Sequence, residues 1–170
     1  MATARPARAS RPPSGEGVKI LTSNRKARHD YHIEETFEAG IALQGNEVKS
    51  IRQGQANLRD GYAAFERGEL FLRNCHVTPY EQAGQFHADP LRPRKLLMRR
   101  GELRRLIGKV EEKGLTLVPL SLYLKGPYVK VSLGLARGKK DYDRRDDIKA
   151  REAEREIARH SRGRANRDSP

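Results

Sequence analysis

Three groups of basic, amide and ring side chains carry the chemistry this sequence offers. The first is Asn24, Arg25, Lys26, Arg28 and His29; the second is Lys125, Tyr128 and Lys130. The third is Arg137, Lys139, Lys140, Tyr142, Arg144 and Arg145. Lys and Arg neutralise phosphates, an exposed ring stacks on a splayed base, and Asn reads base edges. One run of charge is an ordinary solvated face. Three of them, interleaved with rings and amides, point to nucleic acid.

Catalytic and metal-binding arrangements are missing from the sequence. The histidines His29, His32, His76, His87 and His160 show no metal-ligand spacing on a common helix face. Cys75 and His76 would point to opposite faces of a strand. There is no phosphate-binding loop, no nucleophile elbow and no Cys/His dyad. Gly84-Gln85 lacks the second glycine of the Gly-Gly-Gln tripeptide that hydrolytic peptide release uses. Glu34, Glu35 and Glu38 alternate along one segment and read as a solvated strand edge. The sequence gives no reason to expect an enzyme, a cofactor or a metal.

Composition agrees with this reading. The chain has 170 residues and a net charge of +13, with a pI of about 10.2. That excess selects anionic partners, either nucleic acid or a membrane surface. No apolar run approaches the ~20 residues that span a bilayer, and no segment sets a wide apolar face against a basic one. The N-terminus lacks the apolar core of a secretory signal. The lone Cys75 excludes an internal disulfide, fits a reducing cytoplasm and reads as an inert small hydrophobe.

The elements that must position these groups lie between Val18 and Leu135. Residues 1–17 are rich in Arg, Pro, Ala and Ser and read as a flexible basic arm. Val18–Leu21 opens the body. Tyr31–Leu43 alternates imperfectly and predicts a long bent strand with a bulge near Gly40. Gln44–Gly54 predicts a short helix capped by Asn46. Tyr62–Asn74 predicts a hairpin turning at Arg67-Gly68-Glu69, which Cys75–Tyr80 extends. Glu81–Pro93 is a loop. Leu103, Leu106, Ile107 and Val110 recur at helical spacing before Gly114. Leu115–Lys125 and Tyr128–Leu135 predict two strands, with Pro119 marking an edge or a bulge. Five or six strands with two or three short helices fit the small antiparallel barrels with an inserted helix, oligonucleotide-binding folds among them.

After Ala136 the chain has charge, one ring and almost nothing to bury. Asp143–His160 is rich in helix formers, with Asp147 and Arg151 at i, i+4 and Glu152 and Arg155 at i, i+3. Each such pair is worth about 0.2–0.5 kcal/mol, too little to nucleate a helix alone. A tail over 137–170 is therefore expected to be disordered when free and helical in a charged channel; a plain solubilising tail fits the same residues equally well.

Several motifs in order now carry a resemblance. They are Asn24–Tyr31, Phe37–Arg52, Arg94–Leu97 and Gly138–Arg145 with Asp147–Lys149. Over residues 18 to 160 the chain resembles the SsrA-binding protein (small protein B) family. The resemblance implies a barrel over 18–136 that binds the tRNA-like domain of transfer-messenger RNA (tmRNA). The family delivers that RNA, with elongation factor Tu, to ribosomes stalled on messages lacking a stop codon, the process called trans-translation. It implies a cytoplasmic bacterial protein, a monomer when free, with no membrane partner.

By position, the resemblance assigns RNA contacts to Asn24, Lys26, Arg28 and His29; Arg25 and Lys125 join the RNA-binding residues from the first and second basic groups. Glu38 matches a carboxylate that contacts the elbow of the tRNA-like domain, where its acceptors suit the donor edge of a guanine. Met98 stands where the family has Leu on the same surface, and Lys130 matches a basic residue there. In the tail, Gly138 is a hinge and Lys139 and Lys140 contact phosphates of 16S ribosomal RNA. Tyr142 takes the place of a ring that stacks in the decoding centre. Arg144, Arg145 and Lys149 belong to a helix in the empty message channel. Asp141 and Asp143, flanking Tyr142, are acids in an RNA-lined site. Without the resemblance, a general RNA chaperone or ribosomal-protein-like binder accounts for the same charge. A hydrolase acting on peptidyl-tRNA would need a nucleophile that the sequence does not offer.

Overall fold

The computed structural model describes residues 17–84, 88–139 and Ala153. The predicted basic arm, apart from Gly17, and the predicted tail helix, apart from Ala153, lie outside the described residues. The chain divides into two compact units, Met1–Arg137 and Gly138–Pro170.

The first unit is a sheet closed on itself. Its strands are β1 (Val18–Ser23), β2 (Tyr31–Ile41), β4 (Tyr62–Glu66), β5 (Glu69–Arg73), β7 (Arg94–Leu97), β8 (Thr116–Lys125) and β9 (Tyr128–Gly138). They run in the order β1-β8-β4-β5-β7-β2-β9, and β9 pairs back onto β8. That last pairing closes the ring, leaving β1 as an extra strand on β8. A closed barrel of six strands is the result, as predicted, with β1 added outside the ring. The short strands β3 (Ala56–Asn57) and β6 (His76–Val77) form a separate two-stranded ladder.

β8 explains why one strand serves three neighbours. It pairs with β9 over its whole length, with β1 from Ser121 to Lys125, and with β4 at Leu117. The register shifts between Pro119 and Ser121. Proline has no N–H for a ladder, so it sits at the irregularity where the β4 and β1 contacts change over. Of the two readings open from sequence, edge or bulge, the structure takes the bulge. β8 is buried from Leu117 to Tyr123 because both faces are covered. Leu117 and Leu122 point into the barrel core, while Val118 and Leu120 pack outside it against Ala27, Tyr31 and Ile33.

Helix α3 (Arg100–Lys113) closes the interior, with Leu106 fully buried and Leu103 and Val110 packed beside it. Gly114, at φ +57°, ends it in the left-handed conformation that glycine adopts at no steric cost. The β4–β5 hairpin turns through Arg67 and Gly68, both at positive φ, which matches the twist of the flanking strands.

Three expectations change. Helix α2 (Gly45–Arg52) begins at Gln44, not at Asn46. Glu47 reaches back to accept the Gln44 N–H at 2.8 Å, so the capping-box spacing sets the start. Cys75–Tyr80 does not extend the hairpin. Asn74 takes a left-handed φ of +53°, donates from its amide to the Asp60 carbonyl, and turns β6 away to pair with β3. At Gly40 the ladder runs in register, Gly40 with Leu97 and Ile41 with Leu96. A Cβ there would lie 3.3 Å from that of Leu97, so this glycine allows close approach of β7.

Candidate nucleic-acid interface

Glu38 projects from β2 onto the outer wall of the barrel and is the best-supported polar group there. Its Oε2 accepts from the Tyr123 hydroxyl at 2.7 Å and from Lys125 Nζ at 3.1 Å. Its Oε1 accepts from Lys125 at 3.1 Å and faces Lys130 Nζ at 3.9 Å. The Tyr123 hydrogen bond holds this carboxyl below the usual glutamate range. Burial opposes that, and the two lysines add to it. Burial and the carboxylate together push the Tyr123 hydroxyl up, so it stays a donor across the physiological range.

A hollow beside this carboxylate is lined by Thr36, Phe37, Gly40, Met98 and Lys130, with Arg99 and Glu102 at the start of α3. The structure thus brings together Glu38, Met98, Lys125 and Lys130, four residues singled out from sequence. An acceptor flanked by cations and an apolar floor suits a donor-bearing base edge with its phosphates alongside.

The first basic cluster forms a second group. Residues Arg25–Asp30 make a six-residue helix, α1, which their composition did not announce because only Ala27 is buried in it. Arg25, Lys26, Arg28 and His29 are all exposed on it. Lys26 pairs with Asp60 at 2.9 Å, and His29 Nδ1 lies 2.8 Å from Asp30 Oδ1. Both are surface pairs that an incoming phosphate can replace at little cost.

Asn24 is turned inward. Its Oδ1 accepts from the Ala27 N–H at 3.0 Å and caps α1. Its Nδ2 donates to the Leu58 carbonyl at 2.8 Å and to the Pro119 carbonyl at 3.0 Å. Its own N–H donates to Leu120 at 2.8 Å. Asn24 therefore fastens the basic helix to β8 at the Pro119 bulge, and what it gives the interface is position. α1 is anchored near Pro119 and the carboxylate site near Lys125, so the groups stand ~20 Å apart along β8, at ~3.3 Å per residue.

The other acids of β2 serve ion pairs rather than a solvated edge. Glu34 faces Arg137 at 3.4 Å, and Glu35 is bonded to Lys109. Among the described residues, no three or more His, Cys, Asp or Glu side chains gather to hold a metal ion. No helix among them is long and apolar enough to cross a membrane. Gly138 ends β9 and Lys139 follows it, whereas Lys140, Tyr142, Arg144, Arg145 and Lys149 lie outside the described residues.

Three contributors escaped the sequence reading. Tyr123 stands in the apolar run Leu120–Leu124, where a buried hydroxyl demands a partner; that demand was the available signal. Glu47 and Arg94 form a buried ion pair joining α2 to β7, with Arg94 Nε 2.9 Å from Glu47 Oε1. The Glu47 signal was its capping-box spacing from Gln44.

The fold and these groups define a small barrel of the oligonucleotide-binding type with a cation-flanked carboxylate and a basic helix on its wall. Residues 21–163 match the model of the SmpB protein family, and the chain belongs to that family. The SsrA-binding protein of Symbiobacterium thermophilum is 62% identical over 149 residues, 86% of this chain and 94% of the relative. That of Bacillus subtilis (strain 168) is 59% identical over 147 residues, with the same coverage of 86% and 94%. That of Geobacillus thermodenitrificans is 57% identical over 152 residues, 89% and 97% of the two chains. A solved structure described as "tmRNA-SmpB: a journey to the center of the bacterial ribosome" holds a chain 58% identical to this one. The two align with a TM-score of 0.60 over 71% of this chain and 85% of that one.

Proposed function

We propose that this chain is a ribosome-rescue adaptor. It binds the tRNA-like domain of tmRNA and brings it, together with elongation factor Tu, to stalled ribosomes in the bacterial cytoplasm. The observation that carries this reading is the gathering of Glu38, Met98, Lys125 and Lys130 on one wall of the barrel. They are residues from four separate segments, in a chain of the SmpB family. Glu38 supplies acceptors to a base edge, Met98 an apolar contact, and the lysines phosphate contacts. Helix α1 adds Arg25, Lys26, Arg28 and His29 farther along β8. The barrel acts as a monomer and makes or breaks no covalent bond.

In the same reading the residues from Gly138 onward form a separate working part. Lys139 and Lys140 contact ribosomal RNA and Tyr142 stacks near the decoding centre. Arg144, Arg145 and Lys149 lie on a helix that forms in the empty message channel. A chain ended after Gly138, the last residue of β9, tests this division. It is expected to bind the tRNA-like domain as the full chain does and to abolish tagging of stalled peptides. Tagging that survives the truncation would refute the role given to the tail.

A further inference from the structure

The carboxylate site contains one donor that cannot move away. Lys125 and Lys130 reach Glu38 on long, flexible stems, and the Lys125 side chain is 56% exposed. Either lysine can swing onto a phosphate when RNA arrives. Tyr123 cannot, because its residue is 1% exposed and its ring is held in β8 between β1 and β9. Its hydroxyl reaches the surface only to meet Glu38 Oε2 at 2.7 Å. Oε2 also takes Lys125 at 3.1 Å, so both its acceptor sites are filled. Oε1 has Lys125 at 3.1 Å and Lys130 only at 3.9 Å, so it is the oxygen with acceptor capacity to spare.

We infer that Tyr123 is the positioning residue of the RNA interface, fixing the Glu38 carboxylate so that Oε1 faces the incoming nucleotide before RNA binds. The inference rests on the proposed tRNA-like-domain reading and adds to it how the recognising carboxylate is set. Fixing a rotamer in the free protein removes an ordering cost from the complex. A hydrogen bond from a neutral hydroxyl to a carboxylate is among the stronger ones a side chain makes.

The charged and titratable groups facing the carboxylate are Tyr123 and Lys125 from β8 and Lys130 from β9, with Arg99 and Glu102 across the hollow from α3. Tyr123 gives the largest single lowering of the Glu38 proton affinity. Binding that needs the ionised carboxylate is lost as pH falls through the Glu38 titration. Removing the Tyr123 hydroxyl raises that titration, so binding should fail at a higher pH than in the wild type. Glu102 is a second carboxylate lining the same hollow, and a Glu38→Gln background separates its contribution.

The test is a binding titration of full-length protein with a transcript of the tRNA-like domain, repeated from neutral pH down through and below the ordinary glutamate range. Tyr123→Phe is expected to weaken binding about tenfold, the worth of one charge-assisted hydrogen bond, and to move the acid loss of binding upward. In the Glu38→Gln background the same substitution should change neither affinity nor pH profile. An undiminished effect of Tyr123→Phe in that background would overturn the inference. If Glu38→Gln itself leaves binding intact, the underlying reading of the site fails instead. Should Tyr123→Phe not fold, an NMR titration of the Glu38 side-chain carboxyl carbon in Lys125→Met, Lys130→Met protein, where the Tyr123 bond remains, decides. A midpoint below that of ordinary glutamate supports the fixed carboxylate, and one at or above it overturns the inference.

Discussion

Replacing Arg94 with Leu should destabilise this protein more than any surface substitution, for reasons the geometry makes explicit. Arg94 is fully buried. It bonds Glu47 Oε1 at 2.9 Å and the carbonyls of Cys75 at 2.7 Å, Pro90 at 3.0 Å and Arg92 at 3.2 Å. The substitution leaves a buried carboxylate with only the half-buried Arg92 and the Gln44 N–H as partners. It also removes a donor from each carbonyl that Arg94 ties together, of which Pro90 keeps the Val77 N–H. Removing one member of a buried pair costs about 3–5 kcal/mol, where a whole domain is stable by about 5–15 kcal/mol. In urea, with a slope near 2 kcal/mol/M, the midpoint should fall by about 2 M at unchanged slope. Circular dichroism reads both quantities.

The deficit should also depend on pH. In the wild type, burial alone would raise the Glu47 carboxyl, but its bonds to Arg92 and Gln44 and the charge of Arg94 hold it below the usual range. Its contribution is therefore present above the unfolded-state value, about 4.3, and lost as pH falls through the lower folded one. Below about pH 4 the gap between wild type and Arg94→Leu should narrow, because protonation removes both the pair and the orphaned charge. A deficit under about 1 kcal/mol at neutral pH would show that the pair is not the clamp described here.

Two further predictions concern other buried groups. Asn24→Ala should lose about 1–3 kcal/mol, one helix cap plus the Pro119 carbonyl deprived of its side-chain donor, while the Leu58 carbonyl keeps the Gly61 N–H. Asn24→Asp should be at least as damaging, because it keeps the cap acceptor but turns a carboxylate oxygen toward those carbonyls; recovery to wild-type stability would contradict the account. Cys75 lies in the core, where burial pushes its thiol up to about 11. At pH 8 the thiolate fraction is on the order of 0.1%, so a chromogenic disulfide reagent should leave native Cys75 unmodified and titrate one thiol after denaturation.

How much of this was legible follows from where each signal resides. Helix α3 was readable because Leu103, Leu106, Ile107 and Val110 write a helical period and Gly114 a stop. The β4–β5 hairpin was readable from Gly68, which takes the positive φ a tight turn needs at no steric cost, between two apolar-leaning runs. Helix α1 was not, since six residues with one buried alanine have no period; tertiary bonds from Asn24 to Leu58 and Pro119 define it. Pro119 announced an irregularity, but which kind depended on β1 and β4 sharing one edge of β8. Lys125 and Lys130 were legible as a basic group beside Tyr128, whereas Glu38 and Met98 were legible only through family resemblance, and the meeting of all four on one wall follows from barrel closure. Tyr123 was missed because a polar group in an apolar run is only half a signal, and Arg94 because between Arg92 and Lys95 it reads as one more surface charge. The partner lies 85 residues away for Tyr123 and 47 for Arg94.

The central claim is that this barrel wall recognises a particular tRNA-like structure and not RNA at large. Its most direct test is competition at fixed physiological salt, because phosphate contacts alone make any affinity salt-dependent. Full-length protein bound to labelled tmRNA is challenged with an excess of unlabelled bulk tRNA. The account predicts that bulk tRNA displaces little, that unlabelled tRNA-like domain displaces stoichiometrically, and that Glu38→Gln erases the difference. Equal displacement by bulk tRNA and the tRNA-like domain from the wild-type protein would contradict it, and would make this chain a general RNA binder.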